Sequence, residues 1–141
     1  MQLNRFTDYS LRVLFYVAMH PEQLTTLSEI ARFYDISLEH LRKVVHALGK
    51  SGHLQTFRGK NGGFRLAQPP EAINLGELIM QTEGATPLID CHRSHCRLAA
   101  SCTLQDALAE AQQAFFDSLS RHTLADLLVS RAMRKQLIAS Q

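Results

Sequence analysis

Residues 25–67, TTLSEIARFYDISLEHLRKVVHALGKSGHLQTFRGKNGGFRLA, constrain the fold more than any other part of the chain. Thr26 stands three residues before Glu29, the capping-box spacing that satisfies the exposed N–H groups of a helix start, and it predicts a short helix over 27–34. The DIS segment turns the chain, Ser37 can cap again, and Leu38, Leu41, Val45 and Leu48 form the apolar stripe of another helix that stops around Gly49 and Gly52. The opposite face carries Glu39, His40, Arg42, Lys43 and His46. On the helices alone this is either a helix-turn-helix or a plain helical hairpin with a solvated face. The next residues favour the former. HLQTF and GFRLA alternate as strands, and RGKNGG between them supplies Asn61 and Gly62 for a hairpin turn, with Gly59 and Gly63 free to take positive φ. A two-stranded ribbon with Arg58, Lys60 and Arg65 at its tip, directly after a helix-turn-helix, is a wing.

The flanking segments read as helices. Leu11, Leu14, Phe15 and Ala18 keep amphipathic spacing over 7–19, with Thr7 or Asp8 placed to cap and Pro21 just beyond. INLGELIMQTEG predicts a short packing helix over 75–82. Farther on, Leu104, Leu108, Ala111, Phe115 and Leu119 follow at spacings of four, three, four and four, an apolar seam close to a coiled-coil period. Packing on its own domain is the plain use of such a seam. Dimerisation is the favoured one, because a helix-turn-helix reads a palindromic operator with two copies of itself. The basic segment after Ser130 is weakly patterned and reads as a frayed helix or disorder. The expected fold is mainly α with a small β-hairpin: a winged helix-turn-helix domain over 1–84, a cysteine loop over 85–103, a long dimerisation helix region over 104–129 and a tail over 130–141.

Charge is unevenly placed. The chain of 141 residues has a net charge of only +2, yet between Arg32 and Arg65 seven cationic side chains face two acids. A basic third of this kind suits double-stranded DNA. Phosphate oxygens would meet the wing cations Arg58, Lys60 and Arg65, while Ser37, His40, Arg42, Lys43 and His46 of the second helix would lie in the major groove. No apolar run is long enough for a membrane span, and no secretory leader is legible, so a reducing cytoplasm is the expected compartment.

All three cysteines fall within DCHRSHCRLAASC, residues 90–102. In a reducing compartment, such a group points to metal binding or reactivity. With four residues between Cys91 and Cys96 and five between Cys96 and Cys102, one helical face cannot align the three sulfurs, so the segment must be a folded loop. Soft thiolates suit an iron–sulfur cluster or zinc. Zinc would take His92 or His95 as fourth ligand, although its cysteine pairs are usually closer in sequence. A disulfide switch and three merely structural thiols are the remaining readings.

LNRFTDYSLRVLFYVA, LEHLRKVVHALGKSGHLQTFRGKNGGFRLA and the ordered cysteines together resemble the winged-helix regulators that include the iron–sulfur repressors IscR and NsrR, over 1–128. The cysteine spacing is closer to the NsrR, nitric-oxide-sensing type. The resemblance implies a dimeric transcriptional repressor whose cluster, bound by Cys91, Cys96 and Cys102 beside the dimer helix, controls DNA affinity. It further implies that Asp8 completes the cluster from the partner subunit, with His92 and His95 as alternative fourth ligands. Gln105 stands where an IscR-like histidine would be expected, which favours [4Fe–4S] over [2Fe–2S]; nitric oxide is then the implied signal. Taken as a lone residue, Asp8 is a first-turn acid favoured by the helix dipole.

An enzyme is disfavoured because the chain has no Walker-type glycine loop, no GxSxG elbow and no HExxH helix. A small iron–sulfur electron carrier docking through its basic face is the rival from another class, and a zinc-stabilised DNA-binding repressor is the rival within the same class.

Overall fold

The computed structural model describes residues 1–139 and is mainly α-helical. Helix α1 (Arg5–Ala18) starts two residues earlier than its apolar spacing suggests, because Asn4 is the cap: its Oδ1 accepts the Thr7 N–H at 2.8 Å. Neither Thr7 nor Asp8 caps. Thr7 is fully buried, and Asp8 lies in the first turn. Helix α2 (Leu27–Tyr34) forms with the expected capping box, Glu29 accepting the Thr26 N–H at 2.6 Å and Thr26 Oγ1 accepting the Glu29 N–H at 3.3 Å. Asp35 ends it in the left-handed region, at φ 53°. Ser37 caps α3 (Leu38–Lys50). The buried stripe of α3 is Leu41, Val44, Val45 and Leu48; Leu38, expected in it, lies outside at 44% exposure.

Strands β1 (Leu54–Phe57) and β2 (Gly63–Leu66) pair antiparallel, Leu54 opposite Leu66 and Phe57 opposite Gly63. The reversal is wider than an Asn61–Gly62 turn. Gly62 N–H donates to Gly59 O at 3.0 Å, which centres the turn on Lys60 and Asn61, with Gly59 at φ 105°. The wing is also tied to the helix-turn-helix: Thr25 and Phe64 exchange backbone hydrogen bonds at 2.9 Å each. This contact explains the glycine at 63, where a Cβ would stand 2.6 Å from Thr25 O.

A 3₁₀ turn at Pro70–Ala72 leads into α4 (Leu75–Glu83), capped by Asn74. The cysteine loop follows, then α5 (Thr103–Leu119), α6 (Leu124–Leu127) and α7 (Arg131–Ile138). The seam of α5 divides. Phe115, Phe116 and Leu119 pack on Leu75 and Ile79 of α4, whereas Leu104 is 56% exposed. After α5 the chain folds back. Leu124, Leu128 and Leu137 enter the same core as Leu14, Ile30, Leu41 and Leu48. The expected frayed tail is therefore a helix over Arg131–Ile138, capped by Ser130 and held by buried Leu137; residues 140–141 of that tail lie outside the described residues. A single buried leucine carried the signal, too little for a periodic pattern.

The joint between α4 and α5 is close. Asn74 donates from Nδ2 to Ser120 O at 2.8 Å, and Leu75 N–H donates to His122 O at 2.9 Å. A Cβ on Gly76 would fall on the Ser120 side chain and 2.8 Å from Phe116 O. Gly76→Ala should therefore destabilise the fold by about 1–3 kcal/mol through overpacking, read as a lower thermal midpoint; an unchanged midpoint would refute this account of the joint.

Candidate metal centre and nucleic-acid interface

The loop over 85–102 is a chain of short turns built from its own polar groups. Asp90 organises the first of them. Its Oδ1 accepts the Arg93 N–H at 3.0 Å and its carbonyl accepts from Ser94 Oγ at 3.0 Å. Cys96 N–H then donates to Cys91 O at 3.2 Å, with His95 in the left-handed region at φ 50°. Cys91 is buried, Cys96 exposed and Cys102 half-buried, and none is in a disulfide. Cys102 occupies the N-cap position of α5, yet its side chain makes no capping hydrogen bond.

Desolvation, and then the negative charges of Cys96, Cys102 and Asp90, push the Cys91 thiol up. Three thiols on one loop fit the donor chemistry of an iron–sulfur cluster, one ligand short. His92 and His95 are exposed on the same loop. Among the described residues, no three His, Cys, Asp or Glu side chains within this one chain are already gathered as a metal site.

Asp8 lies elsewhere, on the outer side of α1. Its Oδ1 accepts from Arg12 Nε at 3.0 Å, and both side chains are more than 40% exposed. Such an exposed i, i+4 pair contributes only about 0.3–0.5 kcal/mol. The Arg12 guanidinium also lies 6.0 Å from the Tyr9 ring centre and 5.7 Å from that of Tyr34. The Asp8 hydrogen bond pushes the Arg12 pKa up, and burial pushes the Tyr34 phenol up to about 12. With Arg5 and Asn4 these side chains line a polar cleft of about 820 Å³. Arg12, Tyr9 and Tyr34 were not singled out from sequence. The four-residue spacing of Asp8 and Arg12 was the one available signal.

The basic face is assembled from α3 and the wing, and its members differ in freedom. Ser37 Oγ accepts the His40 N–H at 3.3 Å and lies 3.1 Å from His40 Nδ1, and the His40 ring rests 6.0 Å from Tyr9. Ser37 and His40 thus brace the start of α3 against α1. Arg42 pairs with Glu39 at 3.1 Å on the exposed face, and Lys43 and His46 are exposed beside it. Arg58 and Lys60 occupy the hairpin connection. Arg65 is not at the tip: it sits in β2, bonded to Gln55 Oε1 at 3.3 Å and set 5.1 Å from the Phe57 ring centre, because strand pairing places it opposite Gln55.

A helix-turn-helix with a paired wing, followed by a three-thiol loop, is matched by one family model, "Rrf2: Iron-dependent Transcriptional regulator", over residues 3–130. The chain belongs to the Rrf2 family. It is accordingly a DNA-binding transcriptional regulator and not an enzyme. The HTH-type transcriptional regulator NsrR of Bacillus licheniformis is 41% identical over 143 aligned positions, spanning 99% of this chain and 100% of that protein. Among solved structures, a transcriptional regulator from Listeria innocua superposes with a TM-score of 0.76 at 26% identity, covering 93% of this chain and 88% of that one. IscR of T. potens superposes with a TM-score of 0.72 at 24% identity, covering 91% and 86%, and supports the fold. No described helix of this Rrf2 protein is long and apolar enough to cross a membrane.

The thiols differ enough to be told apart chemically. In metal-free protein at mildly alkaline pH, an alkylating reagent should modify exposed Cys96 before Cys91, whose raised pKa leaves less thiolate at any given pH. Peptide mass mapping of a time course checks the order, and equal rates at the two positions would contradict it.

Proposed function

We propose that this Rrf2 protein is a homodimeric repressor of palindromic operators whose DNA affinity is set by an iron–sulfur cluster, with nitric oxide as the signal. The observation that carries the reading is the grouping of Cys91, Cys96 and Cys102, none of them in a disulfide, on one loop whose last cysteine is the N-cap residue of α5. Likeness to NsrR over nearly the whole chain supports it. A cluster, when bound, supplies iron that reacts with nitric oxide. The three cysteines hold it, and Gln105, standing where an IscR-like histidine would be expected, favours [4Fe–4S] over [2Fe–2S].

The fourth ligand in this reading is Asp8 of a second copy. The Asp8–Arg12 pair is exposed and weak, so little opposes the exchange of one partner for another. A second copy also has a place to sit. Met1, Leu88, Leu98 and Leu104 are exposed, and an apolar groove of about 330 Å³ runs between the N-terminal residues and Ala111 and Phe115 of α5. Two protomers joined there would set the spacing of their two α3 helices. Because Cys102 opens α5, loss of the cysteines' shared ligand frees the start of that helix. A change of about 1–3 kcal/mol in dimer geometry is enough to alter operator affinity about 5- to 150-fold.

Protein purified without oxygen should be coloured and contain iron and sulfide, and titration with nitric oxide should bleach the absorption and weaken operator binding. A colourless product, zinc in place of iron, or unchanged DNA affinity would each defeat the proposal. At the interface, Lys60→Glu should weaken binding to all sequences and flatten the salt dependence by about one to two charges, whereas Arg42→Ala or Lys43→Ala should relax preference at particular base pairs. Gel-shift titrations at several salt concentrations separate the two effects.

A further inference from the structure

The last turn of α4 ends at Gly84, φ 80°, where the cysteine loop begins. That turn is fastened in two directions. Toward α1, Thr7 Oγ1 donates to Thr82 Oγ1 at 2.9 Å, Asn4 Nδ2 donates to Thr82 O at 3.2 Å, and Glu83 Oε1 accepts the Asn4 N–H at 2.7 Å. Thr7 is fully buried and immediately precedes Asp8. Toward the DNA-binding face, Gln81 Oε1 lies 3.1 Å from His53 Nε2, which with the amide oxygen facing it acts as the donor.

His53 is bonded to α3, to the residue after β2 and to α4. It lies between α3 and β1, its N–H donates to Leu48 O at 2.9 Å, and its carbonyl accepts the Ala67 N–H at 3.0 Å. Its ring is buried beside a cavity of about 80 Å³ lined by Ser51, Leu78, Gln81 and Thr82. Nδ1 is buried without a hydrogen-bond partner. An aliphatic side chain would fill this place without leaving a polar atom in the interior, so what histidine adds is its bond to Gln81.

We infer that His53 and Gln81 are positioning residues for DNA binding, transmitting the state of the cysteine loop through the last turn of α4 to the angle between α3 and the wing. The inference rests on the proposed cluster control of DNA affinity. Mechanically, α4 is held at its start by α5 through Asn74 and Leu75, and at its end by α1, so a displacement of the loop reaches the wing base through the Gln81–His53 bond. Gln81 is exposed apart from this contact, and its substitution spares the core.

The test compares wild type, Gln81→Ala and Gln81→Glu, the last of which keeps an acceptor for His53. Operator affinity is measured with and without the cluster, and backbone hydrogen exchange is followed over residues 54–66 of the cluster-free proteins. In wild type the two affinities should differ about tenfold or more, in Gln81→Ala by about threefold or less, and in Gln81→Glu as in wild type. Exchange over 54–66 should quicken in cluster-free Gln81→Ala alone. A wild-type affinity ratio in Gln81→Ala overturns the inference. If wild type itself shows no ratio, cluster control fails, and the exchange measurement decides on the positioning role: unchanged exchange in Gln81→Ala overturns that as well.

Discussion

Burial of Leu14, Ile30, Leu41, Leu48, Leu78 and Leu124 against one another is the contact on which every other feature rests. These residues come from α1, α2, α3, α4 and α6, and all are at most 2% exposed. Each such side chain contributes about 1.5–3 kcal/mol when removed from water. Helix α3, the element that carries the cysteine loop and the segment that returns after α5 are thereby parts of one body. The loop and α5 depart from this base and come back to it, so their starting positions are fixed relative to α3.

Electrostatics adds function to that base without adding much stability. The Asp8–Arg12 pair is exposed and energetically small, and the cations of α3 and the wing have few acids near them. Burial, and then Cys96, Cys102 and Asp90, hold the Cys91 thiol away from ionisation. Groups placed where they do not serve the fold are the ones available to a ligand, to DNA or to a second protomer.

Much of this was legible in the chain. The Thr26–Glu29 capping box, the Ser37 cap, the amphipathic stripe of α3 and the glycine-rich reversal are local signals, encoded within a few residues, and they placed α2, α3 and the hairpin closely. Local signals failed where a distant residue had a stronger claim. Asn4 took the cap that Thr7 or Asp8 was expected to supply; Thr7 is instead buried and bonded to Thr82, 75 positions away, and Asp8 lies in the first turn. Helix α7 was legible only as a frayed helix or disorder, because its place is set by Leu137 reaching a core made by α1 to α4 and α6.

The sequence by itself determined the helix-turn-helix and hairpin elements, the basic third of the chain and the grouping of the three cysteines, since these depend on composition and on spacings shorter than two helical turns, while the family followed from resemblance along nearly the whole chain. Only the tertiary structure decided which charged side chains are free and which are braced, as with His40 against Tyr9 and Arg65 against Phe57. It also decided that α4 connects the cysteine loop to the wing through Gln81 and His53, 28 positions apart. The physical reason is that a hydrogen bond is directional and short-ranged, so the partner of a polar group is known only once the core has brought distant segments together.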